Sequence, residues 1–336
     1  MTPIFRILAD SMDVTAKIAD RLVSLTVTDE AGWQSDTVEI VLDDRDALLA
    51  VPATGAELAV ALGYEESGAL DKGLYRVDEV EMSGPDMQMR IRAKASDSRD
   101  KEALGRFKAP QSRSWHDTTI GDLVKSIASE PGIAPLVADA LAGLAIPHLD
   151  QSEESDINLL QRLAGDNGAV VKPAHGKLLF VPRGEARTAS GRAMPSIALG
   201  PGDVDTWRVT LAERAKYRSV VAKWQDEGGA DLVPEQVGEG DPVYTIRHTY
   251  RDAAQAHRAA QAKLDAFQRG AATADITMPG RPEIGAECSL HLSGFRPGVD
   301  GAWVITRAEH RIEDGGYTCS VSAEVPKTTA SQAEEQ

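Results

Sequence analysis

Two acidic runs in the sequence have residue types that could do chemistry. Residues 43–46 (Asp-Asp-Arg-Asp) hold carboxylates of the kind that bind divalent cations, and residues 151–156 (Gln-Ser-Glu-Glu-Ser-Asp) could hold the acid and base of a glycoside hydrolase. The first run lacks the glycine and the distant glutamate of a calcium loop and contains its own arginine, which favours a polar turn. The second run fits the start of a helix, where the helix dipole favours negative charge.

Other residues that could do chemistry are scattered along the chain. None of the seven histidines pairs with another at zinc-ligand spacing, and the sequence has no nucleophile elbow, phosphate loop or dinucleotide-binding fingerprint. Cys288 and Cys319 lie in strand-like segments and are predicted to be ordinary thiols in or near the core. The basic and aromatic residues around Tyr217 and Trp224 fit a strand better than a nucleic-acid site. The sequence therefore predicts no catalytic residue, no metal site and no cofactor.

Composition and charge narrow the range of partners. The chain has 336 residues, with 36 Lys and Arg against 52 Asp and Glu, and a formal net charge of −16. This acidic balance argues against specific nucleic-acid binding, which depends on a dense basic surface. The sequence has no visible signal peptide and no apolar run of about 18 residues, so we expect no stable membrane insertion. The length indicates about two domains.

Strand patterns lie on both sides of a central region with helical patterns. Residues 21–28 (Arg-Leu-Val-Ser-Leu-Thr-Val-Thr) alternate polar and apolar side chains with a period of two, as a half-buried strand does. After residue 100 the period changes, and Thr119 begins a helix with an apolar face that runs from Ile120 to Ala128. The chain is therefore predicted to be mainly β with an α+β insertion.

An internal duplication is the most informative feature of the sequence. Each copy opens a strand with Gly-Ala-Glu, closes it with Gly-aromatic, and opens the next strand with Gly-x-aromatic. Glycine permits sharp backbone turns, and we expect the aromatic side chains to fill the end of a barrel. We therefore predict two similar antiparallel β-barrels. The candidate structural residues are Gly55, Gly63, Tyr64, Gly73 and Tyr75 in the first copy and Gly285, Gly294, Phe295, Gly301 and Trp303 in the second.

These patterns divide the chain into five regions. They are a first β-barrel (1–100), a mixed α/β middle domain (101–185), a linker (186–205), a second β-barrel with one helix at about residues 252–268 (206–325), and a disordered tail (326–336). Two similar barrels in one chain have a geometric consequence. Three copies would present six similar units, so the assembly could match a sixfold ring on one face and a threefold partner on the other.

Several co-linear motifs resemble the phage late control gene D family, the baseplate-hub proteins of contractile-tailed phages and related bacteriocins. The matching segments are residues 21–30, 42–46, 77–80, 150–152, 154–156, 160–164, 294–298, 301–304 and 315–317. The resemblance covers about residues 10–325, nearly the whole chain. The family is also similar in plan to the hub part of type VI secretion spike proteins.

The resemblance implies a structural hub in the tail baseplate of a virion, made in the host cytoplasm. It implies a homotrimer that joins the sixfold tail tube protein to a separate threefold spike protein, beside other baseplate proteins. Two alternatives stay open. One is a tail-associated peptidoglycan hydrolase in residues 101–185 with Glu153 or Glu154 as its acid, and the other is the hub of a phage-derived bacteriocin or secretion machine.

Overall fold

The computed structural model describes residues 1–32, 34–95, 107–130, 132–174, 177–184, 196–212, 217–226, 228–229 and 231–326. Strands account for 54% of residues and helices for 18%, which confirms the mainly β fold. Half of the predicted linker (residues 186–195) and nearly all of the predicted tail (residues 327–336) lie outside the described residues.

The first β half follows the alternation predicted from the sequence, with its apolar positions in one core. Leu25, Val27 and Val60, for example, are almost fully buried. Its elements are β1 (Pro3–Ala9), β2 (Met12–Asp13), α1 (Thr15–Ile18), β3 (Leu22–Glu30), β4 (Thr37–Asp43), β5 (Glu57–Tyr64), β6 (Gly68–Ser83) and β7 (Gln88–Ala95), with a 3-10 turn at Ala19–Arg21. Residues 84–86 (Gly-Pro-Asp), a turn-forming sequence, join β6 to β7.

The middle domain has its own hydrophobic core, between two small sheets and two amphipathic helices. Thr119 and Ser155 cap these helices by accepting hydrogen bonds from the backbone N–H groups of Asp122 and Asn158, at 3.1 and 3.3 Å. The elements are β8 (Pro110–Thr119), α2 (Ile120–Ser129), β9 (Ala134–Val137), α3 (Asp139–Ala142), β10 (Ala145–Ser155), α4 (Asp156–Asp166), β11 (Ala169–Ala174) and β12 (Lys177–Pro182).

The remaining chain builds the second β half and a small subdomain. The elements are β13 (Ser196–Leu199), a 3-10 turn (Pro201–Asp203), β14 (Thr206–Leu211), β15 (Ser219–Gln225), β16 (Leu232–Gly238), β17 (Val243–Tyr250), α5 (Ala253–Arg269), β18 (Ala272–Pro279), β19 (Ser289–Leu292), β20 (Gly301–Glu313) and β21 (Gly316–Glu324). Strand β13 lies in the segment predicted to be a linker, where it pairs with β19.

Strands β15 to β17 do not join the second β half, although the sequence analysis placed them there. They form a separate sheet in the order β16-β15-β17, and α5 covers one face of it. This subdomain contacts the middle domain, since the Tyr250 hydroxyl donates to Asp166 at 3.1 Å and Arg258 donates to Asn167 at 3.1 Å. Strand patterns predict strands but do not assign them to a sheet, which is why the sequence missed this insertion.

One continuous sheet of 13 strands connects the two β halves. Its order is β14-β18-β21-β20-β3-β4-β7-β6-β5-β1-β2, and β19 and β13 extend from β20. Each half has its own hydrophobic core, and Ile312 and Tyr317 from the second half also pack into the core of the first. The sheet therefore connects two cores through the pairing of β3 with β20.

Candidate assembly edges

The two β halves share one strand order and one register. Strands β3-β4-β7-β6-β5 of the first half correspond to β14-β18-β21-β20-β19 of the second. The matching cross-strand pairs are Leu58–Tyr75 and Val60–Gly73 in the first half and Leu290–Trp303 and Leu292–Gly301 in the second. A bulge then follows at the same place, between Val77 and Glu79 and between Ile305 and Arg307.

Tyr75 and Trp303 are equivalent in packing and in hydrogen bonding. They are 2% and 3% exposed, and each follows a glycine with a left-handed φ, 107° at Gly73 and 133° at Gly301. The Tyr75 hydroxyl donates to a backbone carbonyl three residues earlier at 2.8 Å, and the Trp303 indole N–H donates to one four residues earlier at 3.0 Å. In each half, the aromatic side chain is thus held by a hydrogen bond to a nearby backbone carbonyl, two residues after a glycine with positive φ.

The two Gly-Ala-Glu tripeptides are not equivalent, and this corrects the alignment predicted from the sequence. The Gly55 N–H donates to the Val77 carbonyl at 2.7 Å, and the matching bond in the second half runs from Glu287 N–H to the Ile305 carbonyl at 2.8 Å. Gly55 and Glu287 also both have left-handed φ angles, 91° and 64°. Gly285 lies two residues before that position, so the true alignment is shifted by two residues.

Tyr64 and Phe295 also occupy different environments. The Tyr64 hydroxyl donates to the Gly280 carbonyl at 2.9 Å, and its ring centroid lies 5.4 Å from that of Tyr317. Tyr64 therefore connects the first half to the second. Phe295 packs edge-on against Trp207 within the second half, with ring centroids 5.4 Å apart.

The glycines that precede these two aromatic residues are needed for different reasons. A Cβ atom on Gly63 would lie 2.0 Å from the carbonyl oxygen of Gly68, so the close approach of two backbone segments excludes a side chain there. Gly294 instead has a left-handed φ of 81°. The similar sequence around these positions does not reflect a shared local structure.

The junction between the halves pairs residues 24–30 of β3 with residues 307–313 of β20 in antiparallel orientation. In this register Leu25 lies opposite Ile312 and Val27 lies opposite His310, and Leu25 and Val27 are 0% and 1% exposed. Backbone hydrogen bonds across this junction make the two halves parts of one sheet.

A buried polar network holds the junction in register. The Lys72 ammonium donates to the Pro282 carbonyl at 2.6 Å and lies 2.9 Å from Nε2 of His310, whose Nδ1 is 2.8 Å from the Tyr317 hydroxyl. Burial, and then the charge of Lys72, lower the pKa of His310 to about 3, so this ring is neutral near pH 7. Burial also lowers the pKa of Lys72.

The strands equivalent to this junction are unpaired on the corresponding sides. Within the described residues, β14 pairs only with β18, and residues 79–83 of β6 pair only with β7. Trp207, the equivalent of buried Leu25, is 42% exposed, and Met82, the equivalent of buried His310, is 60% exposed. We refer to these two strand edges, β14 and residues 79–83, as the free edges.

Sequence reasoning missed Trp207, Leu211 and Met82 as candidate assembly residues. Strand β14 ends its sheet, and its apolar residue Leu211 is 67% exposed. The usable signal was the apolar alternation of a strand that lies at the end of its sheet, and strand order is needed to recognise it.

The two acidic runs form ion pairs within the chain. Asp46 makes a two-pronged contact with Arg21 at 2.7 and 2.5 Å, as expected of a polar turn. Glu154 pairs with Arg162 at 2.8 Å, and Glu153 is exposed with a φ of 47°. Across the described ranges, no group of three or more His, Cys, Asp or Glu side chains is placed to hold a metal ion.

None of the described helices has the length and the apolar character needed to cross a membrane.

Sequence and structure comparisons identify relatives of this chain. Residues 81–316 match the family described as "Phage tail baseplate hub (GPD)". Two curated proteins named "Probable baseplate hub protein" are each 36% identical, one from Escherichia phage 186 and one from Escherichia phage P2. The alignments cover 97% of this chain and 93% and 94% of those proteins.

Solved structures share the fold at low sequence identity. The 43 kDa tail protein of prophage MuSo2 from Shewanella oneidensis has a TM-score of 0.71 at 15% identity, covering 97% of this chain and 99% of that chain. A type VI secretion component of E. coli, described as similar to T4 bacteriophage tail proteins gp27 and gp5, has a TM-score of 0.54 at 11% identity, covering 92% and 74%.

Proposed function

The chain belongs to the phage tail baseplate hub (GPD) family, and from this premise we propose that three copies form a ring in which six β halves face the tail tube. The protein is a structural hub component of the virion tail baseplate. The observation that carries the proposal is the repeated edge. Each chain uses one β3–β20 junction internally, and no described residue pairs with the two equivalent strand edges.

The internal junction supplies the register of the proposed contact between chains. In that contact, β6 of one copy takes the place of β20, and β14 of the next copy takes the place of β3. Transferring the observed register by the equivalence of the halves gives four pairs between copies: Val80 with Leu211, Glu81 with Thr210, Met82 with Val209, and Ser83 with Arg208.

The contact is head-to-tail, so it generates a ring when the rotation between units closes. The sixfold tail tube favours six half-units, which three chains supply. Closing the ring would cover Trp207, Leu211 and Met82, which are exposed in the single chain. It would also leave no open edge at β14, and unpaired strand edges promote aggregation.

We propose that the hub acts mechanically, with the tail tube protein on its sixfold face and a separate spike protein and other baseplate proteins on the opposite side. The polar face of the first half supports a channel lining that carries both signs of charge. Arg92 there lies 3.0 Å from Glu39 and 3.0 Å from Glu79. Paired charges of this kind would neither attract nor repel passing DNA strongly.

A disulfide between neighbouring copies tests both the ring and its register. Directly opposed residues in antiparallel strands have Cα atoms about 4.5–5.5 Å apart, within disulfide range. We expect the double variant Ser83→Cys with Arg208→Cys to form covalent trimers on mild oxidation of the full chain, alone or with its spike protein. Light scattering after size exclusion gives the mass, and non-reducing gels give the linkage.

The matched control is Met82→Cys with Arg208→Cys. A shift of one residue turns side chains to opposite faces of a sheet, so this pair should remain uncrosslinked. Crosslinking in both variants would contradict the register. A monomer under both conditions, with no crosslink in either variant, would contradict the trimer.

A further inference from the structure

Two histidines converge on the exposed face of the β8–β10 sheet. His116 and His148 are directly opposite each other across the two strands, and their Nδ1 atoms lie 2.9 Å apart. Nε2 of His148 lies 2.9 Å from a carboxylate oxygen of Asp150, and the Ser114 hydroxyl donates to the other oxygen of that carboxylate at 2.7 Å. Neither histidine belongs to β6 or β14, the strands of the proposed contact between copies.

The carboxylate fixes which nitrogen of His148 is available. A neutral imidazole that donates its Nε2 proton to Asp150 keeps a lone pair on Nδ1. That lone pair is directed towards His116. This arrangement of carboxylate, histidine and an open nitrogen is the one that orients histidine ligands in metalloproteins, and Ser114 in turn orients the carboxylate.

The distance between the two Nδ1 atoms fits a bent hydrogen bond, and it also fits a shared ion. If one Nδ1–H pointed straight at the other Nδ1, the two ring centroids would lie about 5.2 Å apart. The observed separation is 4.5 Å, with the rings tilted by 47°. Two nitrogens bound at about 2.05 Å and 90° to one ion would lie about 2.9 Å apart, with ring centroids about 4.5 Å apart. Both observed distances match this arrangement.

We propose that Nδ1 of His116 and Nδ1 of His148 bind one divalent transition-metal ion in adjacent positions, with Asp150 orienting His148. Right-angle nitrogen ligands suit Cu²⁺ and Ni²⁺, whose preferred geometries are tetragonal or square-planar. With two protein ligands, water completes the coordination. The ion joins β8 to β10 beside the bulge between Gln151 and Glu154.

Calorimetric titration of the tag-free full chain with Cu²⁺ and with Ni²⁺ tests the site. We expect one ion per chain in the wild type. His148→Ala and His116→Ala should abolish this binding. Asp150→Asn should weaken it by roughly 10- to 100-fold, the usual effect of removing a partner that orients a ligand. The control is His291→Ala, because His291 is exposed on β19, far along the chain from this sheet.

The Cu²⁺ complex should also show nitrogen hyperfine splitting in electron paramagnetic resonance, from two equivalent imidazoles. Loss of the splitting in His148→Ala but not in His291→Ala would support the assignment. A wild type that binds neither ion in the titration would overturn it. Binding that survives both His116→Ala and His148→Ala would place the ion elsewhere and overturn it equally.

Discussion

Two tryptophans in the second β half allow folding and assembly to be tested separately. Trp303 is 3% exposed in the core, and Trp207 is 42% exposed on the free edge of β14. We expect Trp303→Ala to destabilise each chain whether or not it assembles. We expect Trp207→Ala to leave the fold largely intact and to weaken ring formation.

The magnitudes follow from burial. A tryptophan buries about 150–250 Å², worth about 4–6 kcal/mol at about 25 cal/mol per Å², and core Trp→Ala changes cost about 3–5 kcal/mol. Trp303→Ala also removes the hydrogen bond from its indole to the Val299 carbonyl. We therefore expect a loss of about 3–5 kcal/mol in the free energy of unfolding for Trp303→Ala. Trp207 is partly exposed and packs against Phe295. We therefore expect Trp207→Ala to lower the free energy of unfolding by about 1–2 kcal/mol.

Urea unfolding followed by circular dichroism measures the first effect, and light scattering of the native protein measures the second. A free energy of unfolding for Trp303→Ala within about 1 kcal/mol of the wild type would contradict the burial of Trp303 in the core. Trimer formation by Trp207→Ala as readily as by the wild type would contradict the assignment of the free edge of β14 to the ring. If Trp207→Ala loses both its fold and its trimer, the Trp207 side chain belongs to the core of the chain.

Three further measurements test other parts of the structure. Burial, and then the charge of Asp29, raise the pKa of Asp36 to about 6, so the folded chain binds that proton more tightly than the unfolded chain. The stability that this group contributes is therefore present near pH 4 and is lost as the pH rises through 6. Asp36→Asn should remove this decline, as measured by urea unfolding at several pH values. Gly301→Ala forces alanine into a φ of 133°, which should cost about 1–3 kcal/mol, whereas Gly315→Ala in the following turn should cost little, and equal costs would contradict the strain argument. Burial raises the pKa of Cys319 to about 12, so this thiol should react with a disulfide reagent only after denaturation, and fast labelling of the native chain would contradict its burial.

The sequence predicts well the features that depend on local patterns. The capping residue Thr119, the apolar face of α2, the turn at residues 84–86 and the α5 helix all follow from side-chain spacing and turn chemistry. The same holds for the equivalence of Tyr75 and Trp303, because a glycine with positive φ followed by a buried aromatic residue is a local signature.

The sequence does not predict features that depend on which strands pair. The Gly-Ala-Glu match predicted that Gly285 is equivalent to Gly55. The backbone hydrogen bonds and φ angles show that Glu287 is the equivalent residue. The subdomain of β15 to β17 and α5 was assigned to the wrong sheet for the same reason. A strand pattern specifies which side chains face a core, and it does not specify which neighbour supplies that core.

The divergence of the two halves follows from how the proposed ring is held together. Pairing between strand edges uses backbone N–H and C=O groups, which every residue except proline provides. Leu25 of β3 can therefore become Trp207 of β14, and Gly55 can become Glu287, without loss of the register. What must persist is the backbone geometry itself, and the bulge between Val77 and Glu79 recurs between Ile305 and Arg307. Since a bulge sets the local twist of a strand, we expect that deleting Asp78, the extra residue of the bulge beside the free edge of β6, will lower the fraction of trimer measured by light scattering more than any single side-chain change on β14.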